Sequence, residues 1–183
     1  MTDCNWPGND QSMRRYHDEE WGKPKHSDKV HFEFLILEGA QAGLSWRTIL
    51  NRREGYRRAF CNYDWNQVAR MTEDDIERLA NDTGIIRNRA KIRSAVNNAR
   101  RFVEVVKEFG SFDNYLWRFT NGKIIDNSPK SLAELPSTTE LSDRISKDLK
   151  ARGFTFVGST VVYAHLQAVG VVNDHLVGCS HKY

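Results

Sequence analysis

The chain has 183 residues, 27 of them lysine or arginine and 24 aspartate or glutamate, for a formal net charge of +3. That length predicts one domain spanning 1–183, able to bury a core without disulfides. A composition of 39% hydrophobic and 28% charged residues, with no apolar run of eighteen, excludes a membrane span and wholesale disorder.

The opening Met1-Thr2-Asp3-Cys4-Asn5-Trp6 has neither a basic nor an apolar stretch, so no export signal and a cytoplasmic location are expected. Three cysteines, Cys4, Cys61 and Cys179, argue against a disulfide framework and leave a metal site open.

In chain order, the first residues read as irregular, rich in Gly, Asn and Asp, with Trp6, Tyr16 and Trp21 among them. Residues 28–41 read as a helix that is apolar nearly all round. Short periodic stretches follow at 47–53 and 65–70. Thr72-x-x-Asp75 is a capping-box candidate for a helix running through Ile76, Leu79 and Ala80. The clearest pattern lies in 81–106, where Ile92, Ala95, Val96, Ala99, Phe102, Val103 and Val106 recur at helical spacing. Another short stretch covers 111–119. Ser137-x-x-Glu140 opens a helix with Leu141, Ile145 and Leu149 in register and Gly153 as its stop. Residues 154–157 have strand character but no partner to make a sheet. Gly158-Ser159-Thr160 caps a further apolar helix over 161–169, closed by Gly170. The expectation is an all-α domain whose ends fold back as a small second lobe.

Charge is unevenly placed. Between Gly84 and Val103 lie Arg87, Arg89, Lys91, Arg93, Arg100 and Arg101 with no acidic residue, while the rest of the chain is mildly acidic. That is the footprint of a polyanion-binding surface; the alternative is a solvated helix face. The segment Thr83-Gly84-Ile85-Ile86-Arg87 separates two helices. Gly84 can take positive φ there without steric cost. The N–H groups opening the second helix would then face outward, followed at once by Arg87, Arg89 and Lys91, an arrangement that attracts phosphate. Together these features resemble a helix-hairpin-helix over about 72–106. The match is partial, because Ile86 stands where the usual form has a second glycine. An ordinary αα-hairpin with a glycine C-cap is the competing explanation.

Glu38 sits on the helix face shared by Phe34, His31 and Ala42, with apolar residues opposite. A carboxylate there is expected to be buried, which is costly unless it is paired or has a function. The competing explanation is a salt bridge to an arginine or a bond to a loop N–H. Gln41-Ala42-Gly43-Leu44-Ser45-Trp46 follows as a helix stop with an exposed Leu and Trp, so carboxylate and tryptophan can share one pocket wall. Far apart in sequence, Cys4 and His17 at one end and His175-x-x-x-Cys179 at the other supply two Cys and two His, the set that suits tetrahedral zinc. The spacing places His175 and Cys179 one helical turn apart. Accidental pairing is the alternative, with Cys61, His26, His31, His165 and His181 as the remaining candidates.

Six stretches together resemble the bacterial 3-methyladenine DNA glycosylase I family. They are Cys4-Asn5-Trp6, Tyr16-His17-Asp18-Glu19-Glu20-Trp21-Gly22, Leu37-Glu38-Gly39-Ala40-Gln41-Ala42-Gly43-Leu44-Ser45-Trp46, Gly84-Ile85-Ile86-Arg87, Arg152-Gly153-Phe154-Thr155-Phe156-Val157-Gly158 and Val172-Asn173-Asp174-His175-Leu176-Val177-Gly178-Cys179. They span nearly the whole chain in the family's order; Ala40 is a departure, since some members carry Gln there. The resemblance implies a helix-hairpin-helix DNA glycosylase fold. It also implies structural zinc on Cys4, His17, His175 and Cys179, joining the termini (about 1–25 and 158–183). The base pocket would consist of Trp6, Tyr16, Trp21, Glu38 and Trp46, with Glu38 as the catalytic candidate. The expected partner is double-stranded DNA carrying an alkylated purine, the product 3-methyladenine, and the protein a monomer with no membrane association. DNA contacts are expected from Gly43, Leu44, Gly84, Ile85, Ile86, Arg87, Arg89 and Lys91. Bifunctional relatives of this superfamily hold a lysine nucleophile at the position occupied here by Asn88, and Lys91 lies at the wrong offset. Hydrolysis leaving an abasic site, without strand cutting, is therefore expected. The alternative is a non-catalytic helix-hairpin-helix DNA-binding module.

Overall fold

A computed structural model describes residues 4–182. Among them the helices are α1 (Gln11–Glu19), α2 (Asp28–Gln41), α3 (Trp46–Leu50), α4 (Arg53–Ala59), α5 (Trp65–Val68), α6 (Glu73–Ala80), α7 (Arg89–Phe109), α8 (Phe112–Trp117), α9 (Glu140–Ala151) and α10 (Ser159–Ala168). No helix of the described residues is long and apolar enough to cross a membrane.

A helix apolar on every side must be enclosed. α2 occupies its expected span, and ten of its fourteen residues are buried. α7 and α10 pack against it, with α3, α4 and α8 completing the surround. Rings cluster where these helices meet: Phe102 of α7 stacks on Phe112 of α8 at 4.4 Å and meets Phe32 of α2 edge-on at 5.2 Å.

α6 begins with the expected capping box, Thr72 accepting from the Asp75 N–H while the Asp75 carboxylate accepts from the Thr72 N–H. Asn88 caps α7, its Oδ1 accepting from the Lys91 N–H at 3.1 Å, and Gly110 ends α7 in the left-handed conformation. Between them the expected role of Gly84 is corrected, for its φ is not positive. It lies instead against the backbone of Gly55 in α4. A Cβ on Gly55 would stand 2.0 Å from the Gly84 carbonyl oxygen. The turn is thus seated on α4 by two residues without side chains, and the Ile86 N–H donates to the Tyr56 hydroxyl there.

Four further expectations are corrected. Residues 11–19 are helical because Asp10 accepts from the N–H groups of Ser12 and Met13, a cap that the surrounding Gly and Asn obscured. α9 is capped by Thr139 paired with Ser142, not by Ser137 with Glu140. Residues 154–157 are a loop whose Thr155 bonds to α7. The segment after Asn173 is not helical, so His175 and Cys179 are not related by a helical turn. Among the described residues the strand pairing is a two-residue parallel bridge, Ile125–Asp126 with Val172–Asn173.

Candidate active site

The second half of α1, the last turn of α2, the start of α3 and one face of α10 line an open pocket of about 330 Å³, within the size range of small-molecule sites. Trp6, Tyr16, Trp21, Glu38 and Trp46 all line it. The structure therefore brings the five predicted pocket residues together. Tyr16 faces it from α1, and its ring lies 5.1 Å from that of Trp46. Trp46 is the first residue of α3, set by Ser45, whose hydroxyl accepts from the Thr48 N–H. Trp6 and Trp21 meet edge-on at 5.2 Å. The indole N–H groups of Trp6 and Trp46 are buried without a partner. Gln41, Leu132, Leu135, Ala164 and Gln167 complete the lining and were not foreseen. Gln41 lies in one of the six stretches that carry the family resemblance, and Ala164 and Gln167 lie on the helix expected over 161–169.

Glu38 is 4% exposed, and no arginine, lysine or histidine pairs with it among the described residues. The salt-bridge alternative is thereby removed. Burial alone pushes its carboxyl up to about 8. Nearby acids, by contrast, are placed against a cation. Glu33, also buried on α2, binds Arg53 at 2.7 Å, and Arg53 reaches Glu20 at 2.8 Å. A buried carboxyl held apart from cations, next to aromatic faces, is arranged to meet a positively charged or hydrogen-bond-donating ligand.

Behind Trp21 lies a second cluster. The ligand atoms of Cys4, His17 and Cys179 stand within 4.8 Å of one another, all three buried. The His175 ring is 4.8 Å from that of His17, centroid to centroid, and its Nε2 is buried and unpartnered. His17 Nδ1 bonds the Asp18 carboxylate at 2.6 Å, and His175 Nδ1 bonds Asn173 Oδ1 at 2.9 Å. Each ring is thus oriented through one nitrogen, leaving the other for a ligand. Gly22 is required here, since a Cβ would lie 2.8 Å from the His175 ring. Three of the other candidate histidines lie elsewhere: Asp113 binds His26 and His31, and His165 is buried on α10. Cys61 is only partly buried. His181 borders the cluster, its ring 5.8 Å from that of His17 and its Nε2 3.4 Å from the Asp18 carboxylate.

The basic segment is less free than its sequence suggests. α6 packs beside α7 and supplies the acids that the window lacks. Arg89 pairs with Glu77, Arg93 with Glu73, and Arg101 with Glu104 one turn on. Arg100 donates to the carbonyls of Ala69 and Met71. Lys91 donates to the Ala40 and Ala42 carbonyls at 2.7 and 2.6 Å, closing the C-terminus of α2. The uncompensated +6 patch is corrected accordingly. Arg87, exposed beside Ile85 and Ile86, has no acidic partner among the described residues. Gly43 and Leu44 stand exposed between α2 and α3, Leu44 at 39%.

Comparison with known proteins bears on this geometry. A profile of the methyladenine glycosylase family matches residues 6–183. DNA-3-methyladenine glycosylase 1 of Escherichia coli (strain K12) is 46% identical over 179 residues, covering 98% of this chain and 96% of that protein. A structure of 3-methyladenine DNA glycosylase I from Staphylococcus aureus, which concerns recognition of 3-methyladenine, is 36% identical with a TM-score of 0.97. It covers 100% of this chain and 97% of that one. A Tyr-to-Phe variant of 3-methyladenine DNA glycosylase I, solved with 3-methyladenine, is likewise 36% identical with a TM-score of 0.97, over 100% and 98% of the two chains. This chain belongs to the methyladenine glycosylase family.

Proposed function

We infer that the protein is a DNA repair glycosylase that hydrolyses the N-glycosidic bond of 3-methyladenine in alkylated DNA and leaves an abasic site. One observation carries the reading: a buried carboxyl without a cation, Glu38, opens onto a pocket walled by Trp6, Tyr16, Trp21 and Trp46. A 3-methyladenine nucleoside bears a positive charge on its ring, so its glycosidic bond is already weak and the base departs neutral. The indole faces attract that cation by about 0.5–2 kcal/mol. Glu38 ionises against it and accepts hydrogen bonds from its edge. Both contacts weaken once the charge has left, so they select the lesion and hold it more than they drive the step. Glu38 also opposes the positive charge that develops on the sugar.

Swinging the nucleotide out of the stack costs a few kcal/mol. The turn 83–87 and the first turn of α7 offset that cost by binding backbone phosphate in the manner of a helix-hairpin-helix. Leu44, exposed in a cleft that shares Glu38 and Gln41 with the pocket, fills the vacated space. In this reading Arg87 is the phosphate contact, whereas Lys91 is a positioning residue for the Leu44 loop. Arg87→Ala is expected to weaken duplex binding and reduce the slope of log affinity against log salt by about one. Lys91→Met is expected to lower excision while leaving most of that slope intact. Titrating a labelled duplex at several salt concentrations separates the two.

The side chains of Cys4, His17, His175 and Cys179 fit zinc: two buried thiols and two imidazoles, each ring oriented by a second partner and His175 Nε2 otherwise unsatisfied. Four protein ligands make a closed site, so the ion would supply folding energy rather than a reacting centre. Its role is to hold the two ends of the chain, and with them Trp6 and Trp21.

Incubation with methylated duplex DNA, followed by chromatography of the freed bases, tests the function. Release of 3-methyladenine, retention of 7-methylguanine and no borohydride-trapped adduct are expected. Absence of any released base would return the protein to a binding module, and a trapped adduct would make it a lyase.

A further inference from the structure

Of the nine phenylalanines, eight lie in the hydrophobic core or pack against it, and Phe156 does not. It is 38% exposed, almost the same as Leu44, and its backbone is left-handed with φ 55°. For a bulky side chain that conformation is strained and persists only where the surroundings enforce it. Here they do. Phe154 and Val157 on either side are buried. The Thr155 N–H donates to Asn98 Oδ1, and its carbonyl accepts from Asn98 Nδ2 and the Ser94 hydroxyl. The Val157 carbonyl accepts from Ser146. A folding constraint would have turned the ring inward; this loop is fixed on both flanks so as to hold it outward.

The same face of α7 places that ring. Lys91, Ser94 and Asn98 follow one another at helical spacing. Lys91 holds the chain that leads into Gly43-Leu44, and Ser94 and Asn98 hold the loop of Phe156. From the other side, the Phe156 Cβ approaches Gly39, the neighbour of Glu38, closely enough that a Cβ there would make van der Waals contact at 3.7 Å. Thr160, four residues beyond, lines a cleft shared with Glu38, Gly43 and Leu44. Two exposed apolar side chains therefore emerge near the mouth of the base pocket from two loops clamped on one helix.

We propose that Phe156 is a second apolar contact to the duplex, pressing its ring on the bases that flank the extruded nucleotide while Leu44 fills the vacated space. An aromatic face serves any neighbouring sequence, because every base offers a face to stack on. The proposal rests on the glycosylase reading above.

The test uses Phe156→Asn, which removes the ring but suits a left-handed backbone, and Phe156→Trp, which keeps an aromatic face. With a duplex carrying a tetrahydrofuran abasic analogue, the Asn variant is expected to lose affinity by about tenfold. Its salt slope should be unchanged, because no phosphate contact is removed. Excision from methylated duplex should fall in parallel, while affinity for free 3-methyladenine and the melting temperature hold. The Trp variant should restore duplex affinity. Duplex affinity of the Asn variant within twofold of the unsubstituted protein would overturn the proposal, as would an equal loss of free-base affinity. Failure of the unsubstituted protein to release 3-methyladenine would count against the glycosylase reading instead, and the duplex titration would still report on Phe156.

Discussion

Glu38→Gln is expected to weaken 3-methyladenine binding by about a hundredfold, the scale of lost hydrogen bonds to a charged group. The same change should stabilise the protein at alkaline pH. The carboxyl rises from an ordinary 4.5 to about 8 because it is buried without a cation. A folded-state value above the unfolded one means that the folded chain binds the extra proton. The associated stability is fully present below pH 4.5 and is lost as pH rises towards 8, at up to about 1.4 kcal/mol for each pH unit. Glutamine, which does not ionise, escapes that loss. Melting curves at pH 5 and pH 8.5 check this: the variant should gain on the unsubstituted protein between the two. An identical difference at both values would show that Glu38 is not held in the way described. Excision from methylated duplex supplies a second readout. In the unsubstituted protein its kcat/KM should climb as pH approaches 8, since the positively charged nucleoside calls for the ionised carboxylate, and in the glutamine variant it should stay flat.

Stripping metal with a strong chelator, or replacing Cys4 by serine, is expected to cost both stability and base binding. Cys4 is 3% exposed and packs with Leu176, Cys179 and Trp6 in a small cluster apart from the main core. That cluster and its neighbouring rings join the N-terminal segment to the C-terminal one at this point. Trp21 touches His17 and His175, and Trp6 touches His17, so releasing the clamp frees two walls of the pocket. A loss of only about 3 kcal/mol would lower the melting temperature by roughly 6–12 °C in a chain of this size. Elemental analysis should find one zinc per chain, and affinity for 3-methyladenine should fall as zinc is withdrawn. Duplex affinity should decline far less, because the turn 83–87 is seated on α4 and not on the termini. Unchanged melting and base affinity in metal-stripped protein would remove the clamp.

The elements that sequence foretold are those whose determinants are local. α2 announces itself by apolar residues on every side, α6 by its capping box, α7 by a long amphipathic stripe, and each forms close to its expected place. Glu38 was conspicuous for the same reason: a carboxylate on an all-apolar helix has few reasons to be there. Its pocket partners were found through the quoted stretches around Trp6, Tyr16, Trp21 and Trp46, and the structure then placed them around one space.

Sequence alone thus determined a helical chain, a buried acid and the residue types around it, because periodicity and burial cost act within a few residues. The fold decided what depends on segments distant in the chain. It set Glu73 and Glu77 of α6 beside Arg93 and Arg89 of α7, so two charges of the basic run are matched by acids of the preceding helix. It turned Lys91 from a phosphate ligand into the clamp on α2, and it assigned Gly84 to a backbone contact with Gly55 rather than to a left-handed turn. Leu132 and Leu135 reached the pocket from a single 3-10 turn between α8 and α9 whose course local propensity does not encode. Phe156 looked like an ordinary strand residue until the loop was seen to hold it outward. Charge pairing, close backbone approach and exposure are properties of neighbours in space, and only the folded chain supplies them.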